Sequence, residues 1–280
     1  SWKVSDLVDL TDEEFEQITS LVHTRFGIDL SKKRTLIRGR LNGTLRKLGY
    51  RSFAEYMSAV DHDPSGKQLL DMIDRLSTNH TFFFRESDHL DYLTNVALPT
   101  LWGPDTSNAL RDTRIWCAGC ATGEEPYSIL IALADQFGIS AMPLHAMILA
   151  TDISTSALAT AQAAVYPFAR VKEAGDIVKR GYATSAGDGE IRMKESLRKR
   201  VLFKRINLMN HDFPFRNEFD VIFCRNVMIY FDQPTRAALV EAFRRHLRPG
   251  GYLFLGHSES MGRSVHGYQY LRPAVYRRSL

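Results

Sequence analysis

Along roughly the first 75 residues the apolar positions recur every three or four residues, and the chain then changes its rhythm. Thr11-Asp12-Glu13-Glu14 reads as a capping box, in which the Thr hydroxyl caps the first turn and Glu14 reaches back. Phe15, Ile18, Leu21, Val22 and Phe26 follow at helical spacing, and Gly27 stops the run. Ser31 stands where it would cap a second helix with Leu36, Ile37, Leu41, Leu45 and Leu48 as its buried stripe, ending at Gly49. Third and fourth helices fit Ser52 to Val60 and Gly66 to Leu76. The pattern predicts a small all-helical unit over residues 1–76.

Beyond residue 90 short apolar runs alternate with helical stretches. A helix near Ser87 to Leu101 leads into a polar loop. Strands are expected at Arg114 to Cys117, His145 to Ala150, Arg200 to Asn207, Phe219 to Cys224 and Tyr252 to Gly256. Helices are expected at Glu125 to Phe137, Ser154 to Ala163 and Pro234 to Leu247, and the last residues read as a hairpin. Such alternation predicts an α/β fold, a mostly parallel sheet with helices on both faces. One stretch, about 165–203, breaks the alternation. It reads as a small antiparallel insertion of short strands, joined by a Gly187-Asp188-Gly189 turn and a basic turn.

Composition narrows the class. Hydrophobic residues make up 44% of the 280, enough for a packed core. No apolar run has the length to cross a bilayer, and the first residues lack the plan of a signal peptide, so the expectation is a cytoplasmic protein without membrane insertion. The three cysteines, Cys117, Cys120 and Cys224, argue against a disulfide framework. Cys117 and Cys120 form a CxxC, but no further ligands stand at suitable spacing, so no metal site is expected. The net charge of +4 says less than its distribution: residues 31–54 hold eight Lys or Arg and no acid. Arg34, Arg38, Lys47 and Arg51 lie off the apolar stripe of the second helix.

The chemistry gathers at strand exits. In Ile115-Trp-Cys-Ala-Gly-Cys-Ala-Thr-Gly-Glu-Glu-Pro-Tyr-Ser128 a strand runs into small residues and then a helix, the place where open parallel sheets bind ligands. The dinucleotide fingerprint is absent, and Glu124 and Glu125 at the helix start would repel a pyrophosphate. Asp152, at the tip of the next strand, suits the two hydroxyls of a ribose. Phe219 to Phe231 is a buried strand that runs into Arg225, Asn226 and Tyr230. Together these segments suggest a nucleoside bound without phosphates, such as S-adenosylmethionine. Before them stands Asn79-His-Thr-Phe-Phe-Phe-Arg-Glu86, whose three rings cannot all face one core.

Asn79-His-Thr-x-Phe-Phe-Arg85-Glu, Ala121-Thr-Gly-Glu-Glu-Pro-Tyr-Ser128, Thr151-Asp-Ile153, Ile206-Asn-Leu208, Phe223-Cys-Arg-Asn-Val-Met-Ile-Tyr-Phe231 and Gly256-His-Ser-Glu259 resemble the chemotaxis receptor methyltransferases of the CheR type, over nearly the whole chain. The resemblance implies a class I S-adenosylmethionine-dependent methyltransferase, Rossmann-like, with a small antiparallel β-subdomain inserted in it. An all-α N-terminal domain precedes it, residues 77–90 form a linker contacting the cofactor, and 91–280 form the methyltransferase domain. It also implies methylation of glutamate side chains on chemoreceptor cytoplasmic helices, giving methyl esters and S-adenosylhomocysteine.

By motif, Asn79, Thr81 and Arg85 would touch the cofactor, with Arg85 near its reactive end. Glu125 would contact it too, and Asp152 would hold the ribose. Asn207 and Leu208 would flank the adenine, Asn226 and Val227 would sit near the methionine part, and Tyr230 would border the methyl group. The resemblance implies that certain members dock the receptor's C-terminal pentapeptide on the inserted subdomain, for which Ser185 to Gly189 is the place to look; a monomer is the default.

A glutamate is already ionised near pH 7, with an ordinary pKa of about 4.3, so alignment rather than base catalysis is expected, with Arg85 steering the acceptor and Tyr230 shaping the pocket. Arg34, Arg38, Arg46 and Lys47 are the expected contacts to acidic substrate helices. Two rival readings are a nucleic-acid methyltransferase, which the basic helix would also suit, and a non-catalytic module on the same scaffold. Against the first, the Arg225 motif offers no stacking and amide set for a flipped base, so no nucleic acid is expected.

Overall fold

The computed structural model describes residues 7–77, 81–106, 108–229 and 231–280. Four helices come first: α1 (Asp12–Phe26), α2 (Arg34–Leu48), α3 (Phe53–Asp61) and α4 (Lys67–Leu76). The capping box at Thr11 and Glu14 forms, and Gly27 ends α1 in a left-handed conformation, φ 68°. Ser52 caps α3 through the Glu55 N–H. Ser31 does not cap α2. Its N–H bonds the Asp29 carboxylate at 2.9 Å in a tight turn, and α2 starts at Arg34 without a side-chain cap. The apolar stripes meet in one core of Ile18, Val22, Ile37, Leu41, Leu45, Phe53, Met57 and Ile73. Asn42, buried in α2, exchanges hydrogen bonds with the backbone of Val8 at 2.7 and 3.2 Å, which fixes the segment before α1.

The helix expected near 87–101 is interrupted. α5 (Ser87–Tyr92) and α6 (Leu98–Trp102) are joined by a π-helical turn at Leu93–Ala97. The seven-stranded sheet has the order β6-β2-β1-β7-β8-β10-β9. Its strands are β1 (Ile115–Cys117), β2 (Ile148–Asp152), β6 (Val201–Arg205), β7 (Phe219–Cys224), β8 (Leu247–Leu255), β9 (Tyr268–Arg272) and β10 (Val275–Arg278). The first five are parallel, and the terminal hairpin adds two antiparallel strands at one edge. Side chains alternate between two cores. Ile115, Cys117, Val221 and Phe223 pack on one face against α7 (Glu124–Phe137), while Trp116, Ile222 and Cys224 pack on the other against α11 (Gln233–His246). This is the period-two pattern of strands buried on both faces. Strand β8 starts earlier than expected. The Arg248-Pro-Gly-Gly251 stretch belongs to it as an irregularity, with Phe219 paired to Leu247 and Val221 to Tyr252.

Helix α8 (Thr155–Ala163) follows β2, and the insertion follows α8. β3 (Val165–Pro167), β4 (Ala183–Gly187) and β5 (Glu190–Met193) form an antiparallel sheet of order β3-β5-β4, with α9 (Ala174–Lys179) packed beside β4. The Gly187-Asp188-Gly189 turn is present. The basic turn after β5 is helical, α10 (Glu195–Arg198).

Glu14 ties α1 to α3. It accepts from the N–H of Thr11 at 2.9 Å and of Ala54 at 2.6 Å. Burial disfavours its charge, but these two N–H groups and the Thr11 side chain outweigh burial and hold its pKa below the ordinary 4.5. The stabilisation is therefore complete above that value and is lost as pH falls through the lowered one. Glu14→Gln is expected to cost about 1–3 kcal/mol near neutrality. Unfolding midpoints of both proteins measured against pH should converge below pH 4.5.

Candidate functional site

The carboxyl ends of β1, β2, β6 and β7 open onto a single cavity of about 270 Å³. Chain order reverses between β1 and β7, and such a switch point leaves a crevice because the two outgoing loops part there. Ala118, Gly119 and Ala121 line it after β1, Asp152 and Ile153 after β2, Ile206 to Leu208 after β6, and Arg225 to Val227 after β7. The helical domain supplies the facing wall through Phe26, Ile28 and Leu76. Thr81, Arg85, Glu125, Asp152, Asn207, Leu208, Asn226 and Val227 all border this space. Asn79 and Tyr230 lie outside the described residues.

Each side chain has a structural reason for its place. The Asp152 carboxylate accepts from the N–H of Ala121 and of Ser154, both at 2.9 Å, so it is fixed between the exits of β1 and β2. Burial pushes its pKa up against these hydrogen bonds. Asn207 donates its amide to the Arg25 carbonyl at 2.9 Å, which joins the β6 exit to α1. Gly119 is required by packing, since a Cβ there would meet Val227 Cγ2 at 2.2 Å. Val227 is itself displayed by a clamp. The buried Glu259 carboxylate accepts from the N–H of Asn226, of Met228 at 2.5 Å and of Gly256 at 3.1 Å, which holds Asn226 at φ 62°.

The strongest charge pairing involves Arg225, only 5% exposed. Its Nε donates to Glu125 Oε2 at 2.8 Å, and its Nη1 donates to the carbonyls of Arg85 at 3.0 Å and Glu86 at 3.3 Å. The sequence placed Arg225 among the polar groups at the strand exit but assigned it no contact. Its signals were a charge at the end of an otherwise apolar strand and its place in the Phe223–Phe231 motif. Glu86 was missed as well; its carboxylate accepts from Asn226 Nδ2 at 3.0 Å and from the His257 N–H at 3.2 Å. Glu86, His89 and His257 gather three metal-type ligand atoms, yet Arg225 Nη1 already places a cation 3.5 Å from His89 Nδ1. Burial and then Arg225 lower the His89 pKa to about 4, so it is neutral near pH 7.

The three phenylalanines separate as their spacing demands. Phe82 lines the cavity, Phe83 is buried edge-on to Tyr166 at 5.1 Å, and Phe84 packs on the same core with its N–H on Ser128 Oγ. The Arg85 guanidinium lies 5.5 Å from the Phe82 ring and 3.9 Å from Glu86. The basic residues of α2 are not in the cavity. Arg34 pairs with Asp12 at 2.6 Å and donates to the Leu10 carbonyl, and Arg38 reaches the carbonyls of Leu7 and Val8, so both also fasten the segment before α1. Cys117, Cys120 and Cys224 are buried free thiols, and burial raises their pKa values well above the usual range.

These walls suit a ligand with hydroxyl and amino donors. Two carboxylates border the cavity, and Glu125 Oε1 is buried without a hydrogen-bond partner among the described residues. No Lys or His lines it among the described residues, and Glu124 and Glu125 occupy the first turn of α7, where a phosphate would otherwise bind. Removing Arg225 would strand the Glu125 charge. Arg225→Ala is expected to lower stability by about 3–5 kcal/mol. A denaturant titration checks this, and Arg225→Lys should recover only part of the loss because one ammonium cannot serve the carboxylate and both carbonyls.

Comparison with known proteins agrees with this geometry. Residues 13–77 match the family described as CheR methyltransferase, all-alpha domain, and residues 79–275 match CheR methyltransferase, SAM binding domain. The chain is 41% identical over 273 residues to a chemotaxis protein methyltransferase of Borreliella burgdorferi, covering 97% of this chain and 96% of that one. It is 39% identical to chemotaxis protein methyltransferase 2 of Pseudomonas aeruginosa, covering 95% and 93%, and 34% identical to the Escherichia coli chemotaxis protein methyltransferase, covering 92% and 88%. The protein belongs to the CheR methyltransferase family, and S-adenosylmethionine is its cofactor.

Proposed function

We propose that this protein methylates glutamate side chains on the cytoplasmic helices of chemotaxis receptors, yielding glutamate methyl esters and S-adenosylhomocysteine. When bound, S-adenosylmethionine supplies a methyl group activated by a sulfonium. The observation that carries the choice of acceptor is the ionisable content of the cavity wall. Among the described residues it holds Arg85, Arg225, Glu125 and Asp152, with no His, Lys or Cys, and its two carboxylates are engaged, Glu125 by Arg225 and Asp152 by the N–H groups of Ala121 and Ser154. A hydroxyl or amine acceptor would have to lose a proton there, whereas a glutamate is already an anion.

Arg85 is then the group that orients the acceptor carboxylate, and Tyr230 shapes the space around the methyl group. Glu125 and Asp152 face the amino and ribose groups, Asn207 and Leu208 flank the adenine, and Asn79, Thr81, Asn226 and Val227 complete the cofactor contacts. Arg34, Arg38, Arg46 and Lys47 make α2 attractive to acidic receptor helices, chiefly by speeding encounter. In the insertion, β4 is an edge strand that pairs only with β5 among the described residues, and its exposed residues leave an outer edge to which a receptor pentapeptide can add a strand. No helix among the described residues is long and apolar enough to cross a membrane; the protein meets the receptor as a monomer in this reading.

Calorimetric titration with S-adenosylhomocysteine, paired with methyl transfer to receptor cytoplasmic fragments, tests the assignment. Asp152→Ala should weaken binding at least tenfold, whereas Arg85→Ala, which loses one cofactor contact, should weaken binding far less than it lowers methyl transfer, which falls at least a hundredfold. Full activity in Arg85→Ala would end its proposed role. Arg46→Glu should raise KM for receptor fragments several-fold, most at low salt, and leave cofactor affinity unchanged. Equal loss of both would indicate misfolding instead.

A further inference from the structure

A second cavity of about 260 Å³ lies in the helical domain and shares no lining residue with the cofactor cleft. It is a groove between helix faces. Thr44, Lys47 and Leu48 come from one side of α2, spaced three and four residues apart as neighbours on a helix surface must be. Lys67, Gln68, Asp71 and Arg75 come from the facing side of α4, and Tyr56 of α3 completes the lining.

Two residues of this lining carry hydroxyls in an unusual state. Thr44 is 2% exposed and Tyr56 0%, and neither Thr44 Oγ1 nor the Tyr56 hydroxyl has a hydrogen-bond partner among the described residues. A helical threonine ordinarily returns its hydroxyl to a carbonyl one turn back, as Thr94 does to Leu90. A buried tyrosine ordinarily finds an acceptor, as Tyr166 does at the Thr122 carbonyl, 2.7 Å away. Leaving both unpaired costs stability that valine and phenylalanine of the same shape would not. The charges above them have one sign in excess. Asp71 is paired with Arg75 at 3.1 Å, while Lys47 and Lys67 are exposed at the same groove.

We propose that this groove is a binding site for a small phosphate-bearing molecule, whose oxygens accept from the Thr44 and Tyr56 hydroxyls while Lys47 and Lys67 neutralise its charge. Phosphate fits better than carboxylate because it offers three oxygens and up to two negative charges to two hydroxyls and two ammoniums. The hydroxyls are closed off from water, so the ligand seats by parting the long side chains along the rim. Leu48, 51% exposed at the same edge, gives an apolar contact for the ligand's remaining body.

The probe is pyrophosphate, added to the full chain at constant ionic strength with the cofactor cleft saturated by S-adenosylhomocysteine. The readout is the thermal unfolding midpoint. Wild type should show a saturable rise. Lys47→Met combined with Lys67→Met should weaken the apparent affinity at least tenfold. Tyr56→Phe carries the sharper signature: its midpoint without pyrophosphate should equal or exceed that of wild type, because an unpaired buried hydroxyl has gone, while its pyrophosphate response falls at least tenfold. Each variant must still respond to S-adenosylhomocysteine alone, which shows that the fold and the cofactor cleft are intact. The proposal is overturned by the absence of a saturable rise in wild type, or by an undiminished response in the variants. A Tyr56→Phe midpoint well below wild type would also overturn it, since the hydroxyl would then have a structural partner.

Discussion

A buried guanidinium at the exit of the central strand organises the site. Arg225 joins segments far apart in the chain: it reaches Glu125, 100 positions away, and the Arg85 carbonyl, 140 positions away. A charge held in so little water must be matched, and both the carboxylate at the start of α7 and the linker carbonyls satisfy it. The linker's shape follows. Phe84 and Glu86 adopt left-handed backbone angles, φ 56° and 52°, which non-glycine residues accept only where surroundings over-determine them. Here the Phe84 N–H is fixed on Ser128, and the Glu86 carboxylate on Asn226 and His257. Arg85, between them, is thereby presented to the cavity.

The sheet dictates where that cavity lies. Parallel strands send all their carboxyl ends to one edge, and the reversal of order between β1 and β7 parts the loops that follow. Strand exits carry backbone groups that are no longer paired in the ladder, so polar side chains finish them. Asp152 and Glu259 both do this, taking N–H groups from adjoining loops while shaping the wall. The acids of this region serve two ends at once, loop closure and recognition of a ligand rich in donors.

The helical domain is part of the same construction. It closes the cavity with Phe26, Ile28 and Leu76, and polar contacts hold it to the sheet domain. Asn207 bonds the Arg25 carbonyl, His23 bonds Asp232 at 2.8 Å, and Ile28 pairs with Phe231 as an isolated bridge. The basic helix α2 also has more than one duty. Arg34 and Arg38 spend hydrogen bonds on the segment before α1, so its positive face is partly structural.

Much of this was readable from residue order, because the relevant forces are local. Helical spacing, the Thr11 capping box, glycine stops and all-apolar strands act within a few positions, and they predicted the helical domain and the alternating sheet. The short motifs at strand exits were legible for the same reason: a strand's end is a local event, and ligands gather there. Residue order did not reveal that Ser31 would spend its N–H on Asp29, that a π turn would interrupt the 87–101 helix, or that β8 would absorb a Pro-Gly-Gly stretch. Neither could it show that Arg225 and Glu86 hold the linker, or that the hydroxyls of Thr44 and Tyr56 would be buried without partners among the described residues. The Arg225 and Glu86 contacts join groups 100 to 171 positions apart, and only the folded packing of sheet, linker and helices brings them together.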